Sequence, residues 1–212
     1  MHTISHLRKD YSLKALSETD VKSNPLEQFD TWWNEAIQSQ IDEVNAMTLA
    51  TATAEGVPSA RIVLLKEYND KGFVFFTNYE SAKGQELAEN PRASLLFFWK
   101  ELERQVRITG LVEKITEQES DAYFYSRPLG SRIGAIASAQ SSVIANRNIL
   151  EEKVKLLEKK GEAEIKRPAH WGGYRVKPVI IEFWQGRPSR LHDRIQYTLE
   201  ENGAWKVERL SP

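Results

Sequence analysis

Apolar positions along this chain change period near residue 46. Before that point Leu26, Phe29, Trp33 and Ile37 recur at helical spacing. Asn24-Pro25-Leu26-Glu27 precedes them with a capping asparagine, a proline at the first helical position and an acid in the first turn. The pattern predicts a helix over residues 24–41. Beyond Ala46 the apolar positions fall into short runs separated by turn residues, and strands are expected over residues 46–54, 59–67, 73–77, 93–99, 105–115, 179–184, 190–199 and 204–210. Glu55-Gly56-Val57-Pro58 and Asn69-Asp70-Lys71-Gly72 supply hairpin turns. Further helices are predicted over residues 81–89, 116–126, 132–139 and 143–160, the second opened by the capping box Thr116-Glu117-Gln118-Glu119. Seven or eight antiparallel strands with interspersed helices predict an α+β protein around a closed or nearly closed barrel. Residues 1–23 carry no clear period and are expected to form a mobile arm, with residues 24–212 as a single domain.

Composition narrows the classes. The 29 Lys plus Arg balance 30 Asp plus Glu, for a net charge of -1. A general nucleic-acid or membrane-surface binder usually carries a strong positive excess, which this chain lacks. With no cysteine, disulfides, thiolate metal sites and cysteine nucleophiles are excluded. The four histidines, His2, His6, His170 and His192, are dispersed, and no metal site is expected. No secretory h-region and no membrane-length apolar run is visible, so the expected location is the cytoplasm. No glycine-rich dinucleotide fingerprint, P-loop or Gly-x-Ser-x-Gly elbow is present.

Several stretches gather cations locally. In Arg190-Leu191-His192-Asp193-Arg194, an extended strand would place Arg190, His192 and Arg194 on one face, where an anion would relieve their repulsion. Arg61-Ile62-Val63-Leu64-Leu65-Lys66 reads either as a buried strand with charged ends or as a ligand-lining strand. On a regular strand Arg61 and Lys66 would face opposite ways. Ser81 is a plausible helix cap that puts Lys83 in a first turn, against the helix dipole unless an anion joins it. Tyr123 and Arg127, four apart on a helix, with Ser131 beyond, form a donor set suited to phosphate; a helix-end arginine is the plainer alternative. Gln140-Ser141-Ser142 reads as a ligand loop or a plain cap, and Gln105 sits between Arg104 and Arg107 in a strand, facing a ligand or solvent.

Taken jointly, Arg61 through Lys66, Glu103-Arg104-Gln105-Val106-Arg107, Ser126-Arg127-Pro128, Gln140-Ser141-Ser142, Trp171-Gly172-Gly173-Tyr174-Arg175, Phe183-Trp184-Gln185-Gly186 and Arg190 through Arg194 resemble the pyridoxamine 5'-phosphate oxidase family. The resemblance runs from about Arg8 to Pro212. It implies an FMN-binding split β-barrel, mostly antiparallel with peripheral helices, forming a homodimer with FMN between the subunits. It also implies oxidation of pyridoxamine or pyridoxine 5'-phosphate at C4'. The hydride equivalent passes to the flavin, O2 reoxidises it to give hydrogen peroxide, and the amine substrate releases ammonia. Carried over, FMN meets Arg61, Ile62, Val63, Leu64, Leu65, Lys66, Phe76, Thr77, Lys83, Gln105, Gln140, Ser141, Trp184 and Arg194. The substrate phosphate meets Lys66, Tyr123, Arg127 and Ser131. Arg190, Leu191 and His192 meet the substrate ring, with Arg190 and His192 as the catalytic pair. Arg8-Lys9-Asp10-Tyr11 is similar to the family's segment that folds over the active site. Ala82, where the family often has arginine, and Phe76, where tyrosine is common, depart from the pattern. A flavin reductase on the same barrel, a non-catalytic flavin or pyridoxal-phosphate binder, and a nucleic-acid-binding barrel are the rival readings.

Overall fold

The computed structural model describes residues 10–212. Among the described residues, five α-helices and nine strands follow the order α1 (Pro25–Gln38), β1 (Ala46–Ala52), β2 (Pro58–Leu64), β3 (Glu67–Asn69), β4 (Gly72–Asn78), α2 (Ala82–Glu89), β5 (Arg92–Trp99), β6 (Arg104–Lys114), α3 (Glu117–Ser126), α4 (Leu129–Ala137), α5 (Asn148–Glu158), β7 (Trp171–Gln185), β8 (Asp193–Leu199) and β9 (Trp205–Arg209). Hydrogen bonding links the strands as β2-β1-β5-β6-β7-β4-β3, with β8 on β7 and β9 on β8. The registered pairs β3–β4, β4–β7, β7–β8 and β8–β9 are all antiparallel, in keeping with the expected α+β class. The chain groups into two compact units that interleave in sequence. The first takes residues up to Leu49, Ser94–Gly110 and Pro178–Pro212, and the second Ala50–Ala93 and Leu111–Lys177.

In the first unit, α1 (Pro25–Gln38) begins where its cap predicts, with the Asn24 side chain accepting the Leu26 N–H. It buries Phe29, Trp32 and Ala36. Phe29 packs on Phe97 of β5 (Arg92–Trp99) at 5.4 Å between centroids, and Trp32 meets Phe183 of β7 (Trp171–Gln185) edge-on at 5.1 Å. Burying several large aromatics together supplies most of the local driving force. β8 (Asp193–Leu199) and β9 (Trp205–Arg209) complete this unit.

In the second unit, β2 (Pro58–Leu64) ends at Leu64, and the chain resumes as β3 (Glu67–Asn69), which turns through residues 69–72 into β4 (Gly72–Asn78). Three helices follow expectation closely. α2 (Ala82–Glu89) is capped by Ser81, which accepts the Gly84 N–H. α3 (Glu117–Ser126) carries the complete Thr116–Glu119 capping box, and α4 (Leu129–Ala137) comes next. Hydrogen bonds from Thr116, with the Arg175 charge added, hold the Glu119 carboxyl down at about 2.

Three sequence expectations need correction. Residues 190–199 are not one strand, because Pro188–Arg190 forms a 3-10 turn with Ser189 at φ 56° and Arg190 at φ 62°. Period-two alternation therefore cannot place Arg190, His192 and Arg194 on one face. The helix expected over residues 143–160 is shorter: α5 spans Asn148–Glu158, and neither Ser141 nor Ser142 caps it. Val143 is fully exposed, so no packing supports an earlier first turn. β7 begins at Trp171, eight residues before the predicted start. Its first six residues are all buried, which erases alternation, and Gly172, Gly173 and Pro178 argue against a strand on propensity.

Candidate active site

The second unit contains a cavity of about 750 Å³. Residues 61–64 of β2 line one part of it, followed by Lys66. Because β2 stops at Leu64, the alternation that would oppose Arg61 and Lys66 is broken, and both line the same cavity. Leu65 instead turns into the core at 4% exposure. Phe76, Thr77 and Asn78 arrive from β4, and Lys83 from the first turn of α2. Tyr123 of α3, the following Arg127 and Pro128, and Ser131, Gly134 and Ala135 of α4 contribute, as do Ser138, Gln140, Ser141 and Trp171.

Four of these side chains are cationic, and no Asp or Glu is among the lining residues. Arg61 is paired with Glu86, which lies outside the lining, and the remaining cations gathered in a partly buried space are costly unless an anion joins them. Lys83 is nearly buried, and its Nζ contacts Thr77 Oγ1 at 3.3 Å, Gln140 Oε1 at 3.3 Å and Ser81 Oγ at 3.4 Å. Burial first, then the Arg61 charge, pushes its pKa below the usual lysine value. Arg61 is held by Ser59 Oγ, Thr51 Oγ1 and the Glu86 carboxylate, the last at 3.2 Å. Arg127 lies over the Trp171 ring at 4.8 Å, and its buried Nη1 has no hydrogen-bond partner among the described residues. An orphaned charged donor in such a cavity fits a phosphate oxygen. Phe76 stacks on Tyr123 at 3.9 Å, and Tyr123 lies nearly parallel to Trp171. The ring of Phe76 therefore packs an aromatic wall, a use that needs no hydroxyl.

Thus Arg61, Ile62, Val63, Leu64, Lys66, Phe76, Thr77, Lys83, Tyr123, Arg127, Ser131, Gln140 and Ser141 line one cavity. Asn78, Pro128, Gly134, Ala135, Ser138 and Trp171 were missed. The run of small residues Gly134 and Ala135 in α4 and Ser138 just after it was the available signal, since small residues leave room for a ligand. Ala82 is exposed at the start of α2, outside the lining.

The remaining candidates lie in the first unit. Gln105 is on β6 (Arg104–Lys114) and Trp184 on β7. Arg194 of β8 donates to the buried Glu182 carboxylate from Nε at 2.8 Å, and Arg107 pairs with the same group. His192 accepts the Arg187 backbone N–H at Nδ1, 3.1 Å away, and lies 4.6 Å from Trp184. That bond leaves Nε2 to carry the proton of the neutral ring. Burial, then the Arg190 charge, lowers the His192 pKa, while Asp193 opposes the shift. Arg190 and Leu191 are exposed. Asp10 is exposed, and Tyr11 packs edge-on to Trp184 at 5.8 Å. Arg8 and Lys9 lie outside the described residues.

Fold and site together define an antiparallel α+β protein with a cation-lined cavity. Residues 33–160 match the family described as pyridoxamine 5'-phosphate oxidase, and residues 171–212 the pyridoxine 5'-phosphate oxidase C-terminal dimerisation region. The chain is 60% identical over 211 residues to the pyridoxine/pyridoxamine 5'-phosphate oxidase of Trichormus variabilis, covering 99% of each. It is 57% identical over 212 residues to that of Cupriavidus necator, covering all of both. Among solved structures, PhzG from Burkholderia lata in complex with tetrahydrophenazine-1-carboxylic acid superposes with a TM-score of 0.87 at 32% identity, over 95% of this chain and 100% of that one. A pyridoxamine 5'-phosphate oxidase-related, FMN binding protein from Nostoc punctiforme shares the fold, with a TM-score of 0.72 at 16% identity over 89% of this chain and 98% of that one. This chain belongs to the pyridoxamine 5'-phosphate oxidase family and has its split β-barrel fold.

Proposed function

We propose that this protein oxidises pyridoxamine 5'-phosphate and pyridoxine 5'-phosphate to pyridoxal 5'-phosphate, with FMN as cofactor and O2 as electron acceptor, as a homodimer in the cytoplasm. The observation that carries the reading is the cavity lined by Arg61, Lys66, Lys83 and Arg127 without a carboxylate. FMN and a phosphorylated vitamer each bring a phosphate of about -1.5 to -2 charge, which these cations suit. FMN, when bound, supplies the two-electron acceptor and passes the electrons to O2.

The chain's own residues bind and orient. Lys83, Thr77 and Gln140 already meet through hydrogen bonds, so a phosphate there displaces little order. In this reading Arg61, Lys83, Gln140 and Ser141 hold the cofactor, and Lys66, Tyr123, Arg127 and Ser131 anchor the substrate phosphate. Gln105, Trp184 and Arg194 complete the cofactor site. Arg190, Leu191 and His192 meet the substrate ring, and residues 8–11 cover it. Neutral His192, with its proton on Nε2, donates a hydrogen bond to the substrate.

The test is direct. The purified protein should carry a flavin spectrum, consume O2 with either vitamer and release peroxide. A colourless protein that binds no FMN, or a flavoprotein that turns over neither vitamer, would overturn the reading.

A further inference from the structure

Glu103 stands out in the first unit. It is 3% exposed and sits in the left-handed backbone region at φ 55°. A residue other than glycine held there reflects constraint by its surroundings. Its two ends do different things. The carboxylate accepts the backbone N–H groups of Ser12 at 2.8 Å and Leu13 at 3.1 Å. Its backbone carbonyl accepts the N–H of Gly186 at 2.7 Å and the side-chain amide of Gln185 at 3.2 Å. One residue therefore ties the arm containing Tyr11 to the strand end on which Tyr11 rests.

The seat is shaped for that ring. A Cβ built on Gly186 would come within 2.7 Å of Tyr11 Cγ and 2.8 Å of its Cβ. Tyr11 sits 5.8 Å from Trp184 and 6.0 Å from His192. Five residues beyond Tyr11, Leu16 is 4% exposed, donates its N–H to the Asp193 carboxylate at 3.0 Å and accepts from Arg209 at its carbonyl. The arm is thus pinned at Ser12 and Leu13 and again at Leu16.

We propose that Glu103 is a positioning residue that holds Tyr11 on Gly186, against Trp184 and His192, so that Tyr11 closes the substrate-ring side of the site. The inference rests on the reading that His192 meets the substrate ring. A hydrogen bond to an ionised acceptor is stronger than a neutral one, so a buried carboxylate suits the task.

The experiment is a double-mutant cycle in the full-length holoenzyme, read as KM and kcat for pyridoxine 5'-phosphate. Tyr11→Ala and Glu103→Ala should each raise KM roughly tenfold, and Glu103→Ala should add less than about twofold once Tyr11 is gone. Independent, multiplying effects would overturn the proposal, as would an unchanged KM in Glu103→Ala. Should Glu103→Ala fail to fold, Gly186→Ala provides the second cycle. It should raise KM when Tyr11 is present and change nothing in Tyr11→Ala. Hydrogen exchange at Ser12 and Leu13 reads the docking without turnover: protection should be lost in Glu103→Ala, and retained protection would overturn the latch. Absent turnover in the wild type, with protection lost only in the variant, would sink the oxidase reading and leave the latch standing.

Discussion

His192 commits Nδ1 to a backbone amide, and this decides what its protonation does. Its pKa lies below the ordinary 6.5, because burial and Arg190 disfavour the charged ring. Between the lowered value and 6.5 the folded protein binds fewer protons than the unfolded chain, so its contribution to stability rises with pH and is fully present above 6.5. Protonation at Nδ1 would also break the Arg187 contact. We expect kcat/KM to rise with pH through a value below 6.5. Glutamine at this position places an amide near Nε2, whereas asparagine reaches only the Nδ1 position. His192→Gln should therefore be about tenfold more active than His192→Asn, the worth of one hydrogen bond, and should lose the acid limb of the pH profile. Equal losses would show that Nε2 does nothing. Lys83 runs differently. Its lowered pKa makes the buried charge a cost that is relieved as pH rises through the lowered value toward 10.5. A phosphate beside Nζ restores the charge, so FMN affinity should weaken over that window. Lys83→Arg should flatten the dependence, and parallel slopes in titrations of FMN against pH would refute the assignment. The sequence showed Lys83 but not its environment, since Arg61, Gln140 and Thr77 come from three separate segments. Arg61 and Lys66 were misread for one reason: alternation was extended across Leu65, where the strand had already ended.

At the scale of elements, the local signals that proved reliable were those satisfied within a few residues. The Asn24 cap, the Ser81 cap and the Thr116–Glu119 box each place a helix start correctly, because each offers a backbone N–H its own nearby acceptor. Elements defined by long-range burial were less legible. β7 draws its first half from pairing with β4, where Gly172 faces Thr77 and Gly173 faces Phe76, and no local propensity announces that. The short helix α2 shows how element and site are joined. A Cβ on Gly84 would lie 2.1 Å from the Tyr79 carbonyl oxygen, a backbone atom that cannot swing aside. Gly84→Ala must push the first turn of α2 outward, and Lys83 with it. Overpacking of this kind costs about 1–3 kcal/mol. The variant should show a lower urea midpoint and weaker FMN binding together. Lost stability with unchanged FMN affinity would separate the helix from the anion site.

At the scale of the whole molecule, the candidate residues divide between the two units. Those lining the cavity, such as Lys83 and Arg127, belong to the second, while Trp184, His192 and Arg194 belong to the first. The resemblance places FMN between subunits, and the match of residues 171–212 to a dimerisation region supports an assembly of two chains. A subunit-bridging site makes a prediction that composition and fold alone do not. Lys83→Ala and Arg194→Ala homodimers should each be nearly inactive at limiting FMN. If each site draws Lys83 from one chain and Arg194 from the other, a mixed dimer has one site with both residues intact and one with both replaced. Random exchange of equal amounts makes half the dimers mixed, so activity should recover to about a quarter of wild type. If both residues come from the same chain, every site in the mixture retains one defect and nothing recovers. Mixing after partial unfolding, or co-expression with two tags and purification of the mixed dimer, gives the measurement. Recovery would also explain why a single chain shows a cation-lined cavity so plainly in the second unit while the groups expected at the rings gather in the first.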